Sequence, residues 1–568
     1  MAFQLSPGVN VSEIDLTTIV PSVATSIGGI ALKAVWGPVS EVITISDEAQ
    51  LVRIFGKPDS TNYEFWFTAS NFLAYSSNLK VVRIREGGHL NSTVTTSALA
   101  APGIYIPNDE VWDAQYSGGA LTYGAYAAKY PGLKGNSLQV SIADAAMYDA
   151  WAYKSNFTDQ PTTSAAAAAA GSTFDEIHAI VIDRLGEFSD GVANTVLEVF
   201  PFMSKGSDAK DDSGNANFYK DVITQQSRYI RFMAHPVAPN LTSGNWGTSI
   251  ISSTPKVFKN LSTQTTFTLT NGAGSGVTAA NTIIAYDEFN NADTVDVNLL
   301  MAGPTTGATV AQKVITLAGT RKDAMAYVSP QKADVVNAVA PATTAVAYRN
   351  LLTSSSYAVM DSGWKYQYDK YNDVYRWVPL NGDTAGLTAR SDLERDPWFS
   401  PAGPTRGIMR NVLKLAWNPT KAERDALYTK GINPVMTFPG EGTQLFGDKT
   451  LLSKPSAFDR INVRRLFIII EKAIARSARF SMFEFNDQFT RAAFVNLVEP
   501  YLRDIQGRRG ITDFRVVCDE SNNTGEVIDG NRFVGDIYIK PARSINFIQL
   551  NFVAVRTGVS FDEVVGQF

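Results

Sequence analysis

Residues 295–362 carry VDVNLLMA (295–302), VAQKVITLA (310–318), DAMAYVS (323–329), ADVVNAV (333–339) followed by AYRNLL (347–352), and SYAVMDS (356–362). Short, continuously apolar runs alternate with stretches whose apolar residues recur three or four apart, which predicts strand, helix, strand, helix, strand. Apolar strands separated by helices are buried on both faces, so the segment predicts an α/β layer. The same rhythm opens the chain. A strand SIGGIALKAVW (26–36) meets the turn Gly37-Pro38, and Ser46 precedes a helix DEAQLVRIF (47–55) that stops at Gly56 and Pro58. A second helix EFWFTASNFLAY (64–75) and a buried strand LKVVRIR (79–85) follow. The α/β core domain is therefore expected in two pieces, 26–90 and 285–400.

Between them, residues 91–284 differ in character. They are rich in Ala, Ser, Thr, Gly and Asn, with six alanines at Ala165 to Ala170 and the turn cluster TNGAGSGVT (270–278). This predicts a β-rich insertion with long loops that leaves the core domain and returns to it. Beyond it, residues 401–568 predict a C-terminal α+β domain with helices at 420–430 (Thr420 as cap, Gly431 as stop), 459–480 and 487–506. Strands are expected at 513–519, 533–540 and 545–556. This third holds 23 Lys+Arg and 18 Asp+Glu within a chain of 50 and 55, so it reads as a distinct basic unit on an acidic remainder. Residues 1–25 alternate apolar and polar in VNVSEID and read as an extended arm or as a frayed tail.

Several function classes are excluded by motif. One cysteine, Cys518, permits no internal disulfide, and three scattered histidines, His89, His178 and His235, make no metal cage. G-x-x-x-x-G-K-[ST], H-E-x-x-H, C-x-x-C and G-x-S-x-G are absent, and Gly272, Gly274 and Gly276 read as a flexible turn. Asp519/Glu520 and Asp562/Glu563 are neighbours in sequence with nothing to divide acid from base roles. No catalytic, cofactor or metal residue is nominated, and Cys518 reads as a core thiol on a strand. The start lacks a secretory pattern, and the strongest apolar cluster, LFIII (466–470), is far too short for a membrane span.

Two features point to partners. On the helix at 459–480, Arg465, Lys472, Arg476 and Arg479 fall on one side and Val463, Leu466, Phe467, Ile470 and Ile474 on the other. An ordinary solvated face and a contact for an acidic protein both fit that stripe, while nucleic acid fits poorly because no aromatics are interleaved. The strand SINFIQLNFVAV (544–555), with Phe547, Leu550, Phe552 and Val555, is apolar on both faces. It reads as a central strand of its own domain, or as one that completes a sheet across subunits together with the N-terminal arm.

Long runs then resemble one family. KYQYDKYNDVYRWVPL (365–380), AGLTAR (385–390), SPAGPTRG (400–407), INPV (432–435), GDKT (447–450), PSAFDRINVRRLF (455–467) and PARSINFIQLNFVAVRTG (541–558) are similar to the tail sheath proteins of contractile-tailed, T-even-type (myovirus) bacteriophages. LSPGV (5–9), WGP (36–38), FGKP (55–58) and NFLAY…LKVVR (71–83) extend the likeness to the start. Residues 91–284 do not align, as in a family whose outward domains vary. The resemblance implies a structural virion subunit and no enzyme: stacked hexameric rings around an inner tail tube, meeting baseplate and tail terminator proteins, assembled in the host cytoplasm. It implies irreversible contraction that drives the tube through the host envelope, with no nucleic acid bound and no membrane insertion. It further implies that the arm (Leu5, Pro7, Val9, Val11, Ile14, Leu16) and the C-terminal extension of neighbouring subunits join a sheet in a third. The family's inner surface meets the tube through its C-terminal domain, so the stripe Arg465, Lys472, Arg476, Arg479 becomes a candidate tube contact, an assignment the resemblance itself does not make. A headless, tailocin-like injection system, and a glycan-cleaving virion enzyme with its site in 91–284, are the alternatives.

Overall fold

The computed structural model describes residues 23–94, 103–119, 123–211, 213–235, 244–252, 254–261 and 266–546. They form two bodies, one of residues 23–395 with 401–461, the other of 396–400 with 462–546. The arm residues Leu5 to Leu16 and the strand residues Phe547, Leu550, Phe552 and Val555 lie outside the described residues.

In the first body seven strands make one sheet, in the order Ile432–Asn433, Ala358–Asp361, Met325–Val328, Leu299–Met301, Gly28–Leu32, Leu79–Arg83, Val42–Ile45. All neighbours are parallel except Val42–Ile45, which runs antiparallel on Leu79–Arg83. Gly28–Leu32, Leu299–Met301, Met325–Val328 and Ala358–Asp361 are buried at every position, as parallel strands between helices must be. Thr309–Arg321 supplies Val310, Val314 and Ala318 to one core with Tyr286 and Phe289. Glu48–Phe55 starts where Asp47 accepts a hydrogen bond from the Gln50 amide and stops at Gly56, whose φ of 83° suits glycine. The cap is Asp47, one residue after the expected Ser46.

The helix Asn381–Glu394 lies against Tyr63–Leu73 so closely that a methyl group at Gly382 would stand 2.4 Å from the Thr68 carbonyl oxygen. Neither this helix nor the hairpin Trp364–Asp369/Val374–Pro379 is evident in apolar periodicity. The helix is buried on nearly every side, and the hairpin's inward face carries Lys365, Gln367 and Asp369 instead of apolar residues.

Seven further strands make an antiparallel sheet, in the order Thr195–Ser204, Glu176–Asp183, Leu138–Ala143, Thr266–Thr270, Thr93–Val94, Tyr126–Ala128, Ile230–Phe232. Its core includes Tyr126, Val140, Val181, Tyr219 and Phe267. The alanine run is a helical turn, Ala165–Ala169, capped by Ser164.

The boundary expected at residue 401 shifts. Ile432–Asn433 pairs with Ala358–Asp361, so residues 401–461 belong to the first body. The charge asymmetry moves with it: 401–461 holds nine Lys+Arg against five Asp+Glu, whereas 462–568 holds 14 against 13. The C-terminal body is therefore nearly neutral rather than a distinct basic unit.

Arg83, at the end of Leu79–Arg83, is buried. Its Nε donates to the Ala34 carbonyl at 2.9 Å, Nη1 to Gly37 at 2.7 Å and Nη2 to Pro131 at 2.9 Å, with His89 Nε2 at 3.3 Å. Burial lowers its pKa only to about 10, so it stays charged, while burial and the guanidinium push His89 down to about 3. Arg83→Met leaves three buried carbonyls unpaired, which should cost about 3 kcal/mol or more. Urea unfolding should show a lower midpoint; an unchanged midpoint would remove this residue's structural role.

Candidate assembly surfaces

Open parallel sheets bind ligands beyond the carboxyl ends of their strands. Here that position is filled from within. Ser329, just past Met325–Val328, donates its Oγ proton to Asp361 Oδ2 at 2.7 Å. It accepts the Asn381 amide at 2.9 Å and Asn381 Nδ2 at 3.1 Å. Asn381 Nδ2 also donates to the Gly303 carbonyl at 3.0 Å, and the Gly363 amide donates to Asp361 Oδ1 at 3.0 Å. Beside this cluster Lys365 and Asp383 pair at 2.8 Å, both fully buried, with the Tyr75 hydroxyl donating to Asp383 at 3.1 Å. These side chains bond to one another and to backbone, leaving Asp383 Oδ2 as the buried oxygen without a partner, so the end of the sheet where chemistry is usually placed is largely filled from within.

Loss of solvation pushes Asp361 up to about 8, with Asp383 adding repulsion. Folding therefore takes up a proton between about pH 4 and 8, and this residue's contribution to stability falls as pH rises through that window. Asp361→Asn should abolish the dependence. The variant's stability relative to the parent should rise with pH by up to about 1.4 kcal/mol per unit. Parallel unfolding profiles from pH 5 to 8 would refute this.

Other nominated residues fall as follows. Cys518 is buried, its Sγ 3.5 Å from the Val534 carbonyl, and burial pushes its thiol pKa up, as suits a packing residue. His178 stacks on Phe157 at 4.1 Å and His235 bonds to Tyr219. Among the described residues no group of three or more His, Cys, Asp or Glu side chains is placed to hold a metal, and no helix is long and apolar enough to cross a membrane.

The second body is built on two helices, Ile461–Ala478 and Gln488–Gly507, and a ribbon of two antiparallel strands, Ile511–Val517 and Asp536–Pro541. Leu466, Ile470 and Ile474 pack with Phe494, Val498, Leu502, Ile505 and Cys518. Phe514, Val516, Ile537 and Ile539 lay one face of the ribbon on that core. Among the described residues neither strand has a second neighbour, so both ribbon edges carry unpaired backbone groups.

The cationic stripe is only partly at the surface. Arg465 is 4% exposed, Lys472 is half-buried, and Arg476 and Arg479 are exposed. The helical wheel gives the correct azimuth but not the depth along the axis. From Ile461 to Ile470 every residue is buried except the half-buried Phe467, so the stripe surfaces only in the last turns. Arg465 is withdrawn from the surface set. The sequence reading passed over FSMFEFNDQF (480–489), where four phenylalanines in ten residues were a usable signal.

Three family models match in chain order: the tail sheath protein Gp18 domain III N-terminal region at 25–84, the phage tail sheath protein central domain at 275–451, and the phage tail sheath C-terminal domain at 453–554. The tail sheath protein of Vibrio phage KVP40 is 33% identical over 99% of this chain and all of its own. The chain belongs to the phage tail sheath family. The tail sheath protein of Enterobacteria phage T4 is 32% identical, over 99% of each chain. The helical sheath of the anti-feeding prophage in its contracted state shares the fold, with a TM-score of 0.51 at 13% identity, over 97% of this chain and 99% of that one. This tail sheath protein is thus a structural component of a bacteriophage contractile tail, with a mixed α/β multidomain fold. The first two models flank the antiparallel sheet, and the C-terminal model spans the second body's helices and ribbon.

Proposed function

We propose that this protein polymerises as stacked hexameric rings around an inner tail tube, between a baseplate and a tail terminator, and contracts irreversibly to drive the tube through the host envelope. The observation that carries the reading is the two-stranded ribbon with both edges unpaired among the described residues. Unpaired edges recruit strands, and the chain has apolar candidates for them in Leu5–Leu16 and in the segment of Phe547, Leu550, Phe552 and Val555. Donated by neighbouring subunits, these segments make a mesh in which each ribbon is completed by other chains. Because each contact is between different surfaces of identical chains and the rotation does not close, the product is a helix.

With no nucleotide motif to drive motion, the energy resides in the assembly, as an extended lattice held behind a kinetic barrier. Residues 91–284, holding the antiparallel sheet, form an outward-facing insertion in this reading. Arg476 and Arg479, with Lys472 beside them, are the tube contact. Exposed ion pairs worth about 0–1 kcal/mol each suit a surface that must let go. The relatives over 30% identical named above are phage proteins, which favours a phage tail over a headless particle.

Electron microscopy of the concentrated protein, alone and with tail tubes, tests this. Helical cylinders with six-fold end views are expected, and persistent monomers would overturn the reading. Deleting residues 1–20 should abolish polymerisation; intact cylinders would remove the arm from the mesh. Arg476→Glu with Arg479→Glu should reduce co-assembly on tubes at least tenfold while tube-free polymers persist, and undiminished co-assembly would count against the tube contact.

A further inference from the structure

The turn between the two helices of the C-terminal body carries an exposed apolar patch that the reading above does not use. Phe480 is 69% exposed, Met482 58%, Phe483 102%, Phe485 84% and Phe489 82%. Four aromatic rings and a thioether left in water on one ten-residue stretch mark an interaction surface. The stretch is not a loose loop: Asn486 Nδ2 donates to the Arg532 carbonyl at 2.8 Å and to Asn523 Oδ1 at 3.1 Å, and Asp487 caps the following helix. Asn523 and Arg532 belong to the connection between the two ribbon strands. The patch therefore sits at the end of the ribbon where Val517 pairs with Asp536, and Phe533 touches Phe494 there at 5.4 Å.

We infer that this phenylalanine turn is the docking site for residues 556–568 of a second copy of the chain. The inference rests on the strand exchange proposed above and extends it. Asn546 lies just past the ribbon strand Asp536–Pro541, and 22 residues, 547–568, follow it outside the described residues. The strand 544–555 predicted from the sequence, added antiparallel to the free edge of Asp536–Pro541 in the register that sets Val555 beside Asp536, runs toward the Val517/Asp536 end of the ribbon. The ribbon is about 20 Å long, which six residues span. Antiparallel pairing is the commoner and slightly more stable choice. The 13 residues after Val555, RTGVSFDEVVGQF, then emerge beside the phenylalanines. They bring Val559, Phe561, Val564, Val565 and Phe568 to an apolar patch. The tail and the patch are both apolar, so burying one against the other removes both from water.

The test is photo-crosslinking in the full-length chain. Phe483, whose side chain makes no demand on the fold, is replaced by p-benzoyl-phenylalanine. Isotopically heavy and light chains are mixed, polymerised and irradiated, and the joined peptides are read by mass spectrometry. Heavy–light pairs joining residue 483 to a peptide within 556–568 are expected. Pairs within one chain, pairs to residues 1–22 or to any other part, pairs to tube protein, or no crosslink in well-formed cylinders would each overturn the inference while leaving strand exchange standing. Failure of the unsubstituted chain to polymerise would overturn both.

Discussion

The first body depends on a buried cation with no carboxylate bonded to it. Arg83 closes one strand of the parallel sheet and spends its donors on carbonyls of Ala34, Gly37 and Pro131. Two of these follow the first strand of the α/β sheet and one lies among the strands of the antiparallel sheet, so a single guanidinium fastens the two sheets where the chain passes between them. A lysine would not serve, since one ammonium cannot reach three carbonyls in a planar fork. The cost of burying the charge is met by carbonyl dipoles, and the neutral imidazole of His89 lets a second basic group lie alongside.

The carboxyl ends of the parallel strands follow the same economy of internal partners. In an enzyme of this architecture those ends would face a crevice. Here Ser329, Asp361 and Asn381 bond to one another and to Gly303, and the Lys365–Asp383 pair occupies the adjoining space. Such a network is stiff because any displacement leaves a buried polar group unpaired.

The α/β layer was legible because its strands are short apolar runs between helices with clear start and stop residues; the three strands and first helix of 295–362 lie within a few residues of expectation, while the single helix expected through 333–352 is two, Lys332–Val335 and Pro341–Asn350, because Pro341 starts a new helix. What escaped was written in other terms. Val42–Ile45 is a half-buried edge strand of four residues, too short for periodicity to register. The inward face of the hairpin at 364–379 is Lys365, Gln367 and Asp369, a polar core that hydrophobic patterning reads as solvent-facing. The boundary at 401 failed because a two-residue strand, Ile432–Asn433, ties residues 401–461 to the first body. Arg465 failed because an angular position on a helix carries no information about which turns are covered.

The surfaces nominated for assembly differ in kind, and the difference bears on motion. A donated strand is held by backbone hydrogen bonds along its length, each indifferent to side-chain identity, and can bend at its connecting segment without any bond breaking. Exposed arginines at the end of Ile461–Ala478 make contacts of small individual energy that part readily. A lattice of the proposed kind, whose subunits move past a tube while staying joined to one another, needs the first kind between copies and the second kind toward the tube. In the assembly proposed above, the C-terminal body, small and nearly neutral, carries both: ribbon edges and aromatic turn toward other copies, a short cationic helix end toward the tube.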